Sequence, residues 1–154
     1  MSVASPPAKP FRSIQRVYFD DLDALNILHN VRYLIFFERA RSELFVSLGF
    51  NWHDDTAKNP DKWHVVAAHE IEYRVPISEL GEKLIEVTPK KLGSSSLLIH
   101  VTMKSPDEKI EYAHGTSRLV RLDPTTNKPC PWSPRLREAM KPWLGDTTLA
   151  APSA

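Results

Sequence analysis

Apolar side chains recur every three to four positions between Val31 and Leu48, which is the spacing of one face of an α-helix. The residues on this face are Tyr33, Phe37, Ala40, Leu44 and Leu48. Asn30 is a suitable N-cap, and Gly49 follows as a residue that readily takes the left-handed conformation of a helix C-terminus. The pattern therefore predicts a helix over residues 31–48.

Further apolar residues widen this face and leave only a narrow polar strip on the predicted helix. The polar strip consists of Arg32, Glu38, Arg39, Arg41 and Glu43. Glu38 and Arg41 are three residues apart, so they are spaced to form an ion pair on the helix surface. A helix with so little polar surface must be covered by other elements, and we expect the later segments to cover it.

Five segments have the alternation and the flanking turn residues that are typical of β-strands. They span residues 13–19, 63–75, 83–91, 97–104 and 109–122. Pro89, inside the third segment, indicates an edge strand or a bulge because proline has no N–H to donate. Short links favour antiparallel pairing. The fold class predicted is α+β, with a five-stranded antiparallel sheet wrapped around one long central helix.

The other segments are predicted to be connectors and tails. The polar residues 51–62 are expected to form an exposed connector, and a short helix is expected over residues 134–143. With 154 residues and 42% hydrophobic content, the chain is expected to form one domain over residues 11–144. Residues 1–10 are expected to be a disordered tail and residues 145–154 a flexible one.

Net charge and composition narrow the classes of partner that this protein is expected to bind. A formal net charge of +1 gives no reason to expect nucleic acid, and no apolar run is long enough for membrane insertion. The first ten residues lack the apolar core of a secretory signal. Cys130 is the single cysteine and cannot form an internal disulfide, which fits a reducing compartment, so we expect a cytoplasmic protein.

Carboxylates before the long helix are the best candidates for chemistry. Asp21 and Asp23 lie two residues apart, and Asp23 precedes Asn30 by seven. A helix N-terminus has free N–H groups and a positive dipole end that stabilise an oxyanion, while a nearby carboxylate can act as a base or nucleophile. From spacing alone, turn or capping roles for these aspartates are favoured over catalysis.

Three short motifs around this loop resemble a known family. They are D-L-D-A over residues 21–24, H-N-V-R-Y over 29–33 and F-E-R-A-R over 37–41. In this order they resemble the hot-dog-fold acyl-CoA thioesterases of the 4-hydroxybenzoyl-CoA type, especially the branch that includes the Tol–Pal-associated thioesterases. The segment I-E-Y-R-V-P over 71–76 is similar too. The resemblance implies a hot-dog fold and at least a dimer, with active sites at the subunit interface.

The resemblance also implies roles for individual residues. Asp23 matches the catalytic aspartate, and Asn30 occupies the position whose backbone N–H polarises the thioester carbonyl. Tyr33 is expected to bind the substrate, and His29 either lines the acyl pocket or makes a polar contact. Asn26 replaces the glycine that is usual in this loop. The basic residues that some relatives place at 93–96 for the coenzyme A phosphates are absent here.

The expected function is hydrolysis of an acyl-CoA thioester to the free acid and CoA, with Asp23 as nucleophile or general base. A thiolate leaves without much protonation, which suits such a minimal site. Neither a cofactor nor a metal is expected. The alternatives are a non-catalytic acyl-CoA binding protein on the same scaffold and a hot-dog dehydratase. A homodimer or homotetramer is expected, because a small sheet with a helix on one side leaves strand edges and an apolar rim to cover.

Overall fold

Five antiparallel strands and two α-helices form the part of the protein that the structure, a computed structural model, describes, residues 9–144. The strands are β1 (Phe11–Val17), β2 (His64–Tyr73), β3 (Gly81–Leu92), β4 (Ser96–Lys104) and β5 (Glu111–Arg121). The helices are α1 (Arg32–Ser47) and α2 (Pro134–Leu144), and 3-10 turns lie at Phe19–Asp21 and Pro60–Lys62. Each predicted strand is present, and no end is displaced by more than two residues.

The sheet has the strand order β1-β3-β4-β5-β2, and all neighbours pair antiparallel. Strand β3 therefore lies inside the sheet, and β1 and β2 are its edges. The register of β3 against β4 shifts between Pro89 and Lys91. The bulge interpretation of Pro89 is thus confirmed, because a bulge leaves the missing N–H outside the ladder.

Helix α1 packs its apolar face into the core, and Phe36 and Leu44 belong to the same buried cluster as the sheet residues Ile85 and Leu97. Gly49 has a φ of 89°, so the predicted left-handed residue after the helix is confirmed. The prediction that Asn30 is the N-cap is wrong. The N-cap is Val31, without a side-chain cap, because the Arg32 N–H closes the first turn onto the His29 carbonyl at 2.8 Å.

Helix α2 confirms the short helix predicted over residues 134–143, and it adds a second helix to the core beside the long one. Leu136 and Met140 are fully buried on its inner face. Its start is fixed by Ser133, whose backbone N–H donates to the Asp61 carboxylate at 2.8 Å and whose hydroxyl accepts the Leu136 N–H at 3.1 Å. Asp61 is buried for this reason, and the connector over residues 51–62 is not exposed throughout.

The predicted position of Arg41 on the polar strip is also wrong. Its ion pair with Glu38 exists, at 3.8 Å, but Arg41 is only 6% exposed. Arg41 lines a cleft that Trp52 of the connector and His64 at the start of β2 also line. Local periodicity could not show this environment, because it comes from residues more than ten positions away.

The predicted tails fall almost entirely outside the described residues. Residues 1–8 and 145–154 are not among them, and Lys9 and Pro10 precede β1 without regular structure. Neither helix within residues 9–144 has the length and apolar character needed to cross a membrane.

Candidate functional site

The loop between β1 and α1 folds back on itself and is held by backbone hydrogen bonds. The Asp23 N–H donates to the Ile27 carbonyl at 2.8 Å, and Leu22 pairs with Leu28 in an isolated antiparallel bridge. The Leu28 N–H donates to the Ile77 carbonyl, also at 2.8 Å. This bond attaches the loop to the segment after β2, so the loop is a fixed part of the fold.

Asn26 lies at the tip of this loop with a φ of 58°. This is the left-handed region, which glycine enters freely and asparagine tolerates better than most residues. Its N–H donates to the Asp23 carbonyl at 3.0 Å. Asparagine therefore adopts here a conformation that also suits glycine, the residue that the resemblance predicts at this position.

The two oxygens of the Asp23 carboxylate have different environments. Oδ1 accepts the Leu25 N–H at 2.8 Å and the Ile27 N–H at 3.4 Å. Oδ2 has no hydrogen-bond partner among residues 9–144. One oxygen orients the carboxylate, and the other is available to a ligand or water.

Asp21, by contrast, is engaged through both oxygens. Oδ2 accepts the Tyr18 N–H at 2.8 Å and so caps the 3-10 turn, while Oδ1 lies 3.9 Å from Nη1 of Arg32. These contacts are all made within the loop and with the start of α1. Asp21 therefore shapes the loop, whereas Asp23 presents a free oxygen.

The backbone at the start of α1 is the second component of the site. The Asn30 N–H forms no hydrogen bond within the described part of the chain. The Asn30 carbonyl accepts the Tyr73 hydroxyl at 2.8 Å, and the Tyr73 ring meets Tyr33 edge to face at 5.0 Å. Burial raises the pKa of both tyrosines, so both phenols are neutral at pH 7. Both rings therefore act as neutral walls, and the Tyr73 hydroxyl is a hydrogen-bond donor.

These groups line one pocket of about 330 Å³. Its lining comprises Asp23, Ile27, Leu28, Asn30, Tyr33, Tyr73, Arg74, Val75 and Pro76. The structure thus brings together three of the four predicted site residues. His29 is exposed and is not part of this lining; its Nδ1 accepts the Val31 N–H at 3.3 Å.

The residues that sequence reasoning missed come from the end of β2. Tyr73 to Pro76 form one wall of the pocket, although they follow Asp23 by some fifty positions. The segment I-E-Y-R-V-P was a usable signal, since these residues fall within it. What the sequence lacked was the pairing that brings this strand beside the start of α1.

The pocket has the chemical requirements of acyl transfer. A carboxylate oxygen can attack or take a proton, a free N–H at a helix start can stabilise an oxyanion, and aromatic walls can hold an apolar group. Arg74 adds a cation at the rim, and its Nη1 lies 3.1 Å from Oε2 of Glu111. No step of this kind needs a metal.

Comparison with known proteins places these features in a family. The model of the Thioesterase-like superfamily matches residues 17–140. Among curated relatives, the acyl-CoA thioesterase YbgC of Haemophilus influenzae is 51% identical over 35 residues. That match covers 23% of this chain and only 26% of the relative.

Solved structures are similar over most of the chain. A protein from Pseudomonas aeruginosa strain PAO1 superimposes with a TM-score of 0.77 at 16% identity, covering 90% of this chain and 96% of that one. A thioesterase from Thermus thermophilus, solved with coenzyme A and Zn, is 28% identical. Its TM-score is 0.68, and the match covers 86% of this chain and 92% of that one.

Proposed function

We propose that this chain, which belongs to the Thioesterase-like superfamily, hydrolyses an acyl-CoA thioester to the free acid and CoA. The observation that supports this most directly is the shared pocket of Asp23 and Asn30. Asp23, whose carboxylate has one free oxygen, and Asn30, whose backbone N–H has no partner in the described part of the chain, line the same space. These are the two groups that thioester hydrolysis requires.

In the proposed mechanism the Asn30 N–H and the positive end of α1 bind the thioester oxygen and stabilise the negative charge that develops there. Asp23 then acts in one of two ways. As a nucleophile, its free oxygen forms an anhydride with the acyl group and expels the CoA thiolate, and water then cleaves the anhydride. As a general base, Asp23 takes a proton from the water that attacks the carbonyl directly.

Substrate contacts are assigned to residues around this centre. Tyr33 would contact the acyl group, because its buried ring forms the inner wall of the pocket. His29 would contact the substrate outside the pocket lining, since it is exposed beside Asn30. The similarity to a thioesterase that was solved with coenzyme A supports CoA as the leaving group.

We further propose that the protein is a homodimer formed through β2. This strand is a sheet edge, and most of its residues are exposed. Its large apolar side chains include Val65 at 46%, Val66 at 40% and Tyr73 at 47% exposure. Antiparallel pairing of two β2 strands would satisfy their free backbone groups and cover this surface.

Two finer assignments also remain proposals. The order of the D-L-D-A and F-E-R-A-R motifs, together with the short match to YbgC, supports a place in the branch that includes the Tol–Pal-associated thioesterases. The single cysteine supports a reducing, cytoplasmic location.

The test is turnover by the purified full chain on a panel of aromatic and aliphatic acyl-CoAs, measured as release of the CoA thiol. Hydrolysis of at least one ester above the uncatalysed rate is expected. Calorimetric titration with the same esters separates the other outcome. Binding without hydrolysis of any of them would contradict the proposed activity and favour an acyl-CoA binding protein.

A further inference from the structure

Arg41 is a buried cation whose hydrogen-bonding capacity is unused. Its guanidinium has five N–H donors, yet it forms no hydrogen bond within residues 9–144, and Nε is completely enclosed. Its one ion pair within that range, with Glu38, spans 3.8 Å, and the Glu38 side chain is 67% exposed. A contact of this length to an exposed surface carboxylate does not replace the water that Arg41 loses on burial.

The cation faces a cleft of about 520 Å³ between α1 and the start of β2. Trp52, Lys62 and His64 are also in its lining. The indole N–H of Trp52 is likewise buried without a partner in the described part of the chain. Two residues with unpartnered N–H donors, from segments distant in sequence, therefore line one space.

The charges that face the cleft favour an anion. Lys62 adds a second cation and donates to the Asp54 carbonyl. Burial, together with the charge of Arg41, lowers the pKa of His64, so this imidazole is neutral at pH 7 and the cationic charge in the cleft comes from Arg41 and Lys62. Among the described residues that line the cleft, Glu38 is the only carboxylate, and it lies at the exposed rim. Buried donors in excess of acceptors are matched by a ligand with several acceptor oxygens.

We propose that this cleft binds an oxyanion, a carboxylate or a phosphate group, with Arg41 and Trp52 as hydrogen-bond donors and Lys62 as a supporting cation. The planar guanidinium fork fits two oxygens of either group. Val65 and Val66 form the apolar side of the cleft, next to the proposed dimer interface.

The position of the cleft links it to the proposed function. The source that we assign to the anion rests on that function. Within one chain, Arg41 follows Asn30 by eleven residues, about 16 Å along the helix axis at 1.5 Å per residue. The Asp23 pocket lies at the end of β2 and the Arg41 cleft at its start. In the proposed dimer, antiparallel pairing of the two β2 strands sets the start of one beside the end of the other. The anion would then be a charged group of the acyl-CoA bound at the partner's pocket.

Binding is tested without turnover, by ¹H–¹⁵N NMR of the full chain titrated with inorganic phosphate and, separately, with succinate. The indole signal of Trp52 is identified by its loss in Trp52→Phe. A saturable shift with at least one anion is expected, weakened at least about tenfold in Arg41→Met. Met preserves the length of the side chain and removes the charge. Arg39→Met, which changes an exposed arginine of the same helix, should bind like the wild type.

The anion that shifts the signal identifies the chemistry, and either one supports the proposal. The absence of a saturable shift with both anions, or equal affinity in Arg41→Met, would overturn it. If Arg41→Met does not fold, Lys62→Met provides the same comparison with an expected severalfold loss of affinity. Unchanged affinity in that variant would then count against the site.

Kinetics identify the source of the anion. Succinyl-CoA and butyryl-CoA share a four-carbon acyl chain and differ in the terminal carboxylate. A fall in kcat/KM of at least about tenfold for succinyl-CoA alone in Arg41→Met assigns the site to an acyl carboxylate, and an equal fall for both esters assigns it to a CoA phosphate. If the kinetics of both esters are unchanged in Arg41→Met while phosphate binding is lost, the site is assigned to a free anion. Lack of hydrolysis of every ester by the wild type would contradict the proposed function and leave the NMR result standing.

Discussion

The hydroxyl of Tyr73 donates a hydrogen bond to the carbonyl oxygen of Asn30 over 2.8 Å. This bond connects the last residue of β2 to the turn before α1 and restrains the peptide unit adjacent to the Asn30 N–H. The proposed oxyanion donor is thus positioned by a residue that follows it by 43 positions. Tyr73 is therefore assigned as a positioning residue.

Replacing Tyr73 with phenylalanine removes the hydroxyl and leaves the ring contact with Tyr33. A hydrogen bond of this kind contributes about 1 kcal/mol, so kcat should fall about fivefold. KM should change little, because the pocket walls remain. Steady-state kinetics of Tyr73→Phe check this, with Tyr18→Phe as the control, since that ring is exposed and lies outside the pocket. An unchanged kcat in Tyr73→Phe would show that the bond does not position Asn30.

The loop tip gives a prediction about stability. Asn26 has a φ of 58°, a region that costs a β-branched residue about 1–2 kcal/mol or more. Asn26→Val should lower the free energy of unfolding by that amount and reduce turnover, since Asp23 is held by the same loop. Asn26→Gly should keep wild-type turnover. Urea unfolding and hydrolysis rates measure both effects, and a Val variant as stable as the wild type would contradict the strain argument.

Periodicity in the sequence predicted the elements of this fold well, because both the alternation of the strands and the apolar face of α1 are local properties. It could not choose between an edge and a bulge at Pro89, since that depends on which strand pairs with β3. The loop motif also led to Asp23 and Asn30. The prediction for Arg41 failed because the helix pattern put it on the polar strip, whereas its surroundings include Trp52 and His64, which are distant in sequence.

Assembly through β2 can be tested by introducing a charged side chain into the proposed interface. Val66 is 40% exposed on this edge strand, and a lysine there would place a charge in the proposed interface. The wild type should sediment as a dimer, at twice the monomer mass of 17.5 kDa, or as a larger assembly of dimers. Val66→Lys should shift towards the monomer. Val46→Lys, at an exposed position of α1, should not. A wild type that is monomeric at micromolar concentration would contradict both the interface and an interfacial site.

Arg41 provides a prediction about the melting temperature. Its burial without hydrogen bonds inside the described part of the chain destabilises the ligand-free protein, and a well-packed apolar side chain in place of a buried charge is often neutral or stabilising. Arg41→Met should therefore melt at or above the wild-type temperature. Calorimetry in a buffer without phosphate or carboxylate makes this comparison. A marked fall in melting temperature would mean that Arg41 supports the fold itself.

Asp23 and Asp21 form a matched pair, because both lie in the same loop and only Asp23 has a free carboxylate oxygen. Asp23→Asn preserves the shape and can still accept the Leu25 N–H through its amide oxygen. The charge is lost, so hydrolysis should fall at least about a hundredfold, the lower range for removal of a positioned base. Asp21→Asn can still cap the Tyr18 N–H, and its hydrolysis rate should fall by less than about tenfold.

Steady-state rates of both variants make the comparison, with melting curves to confirm folding. Binding of acyl-CoA by Asp23→Asn should persist, because Asn30 and the pocket walls are unchanged. Near-normal turnover in a folded Asp23→Asn protein would exclude Asp23 as nucleophile and as base, and a larger loss in Asp21→Asn would transfer the role to that residue.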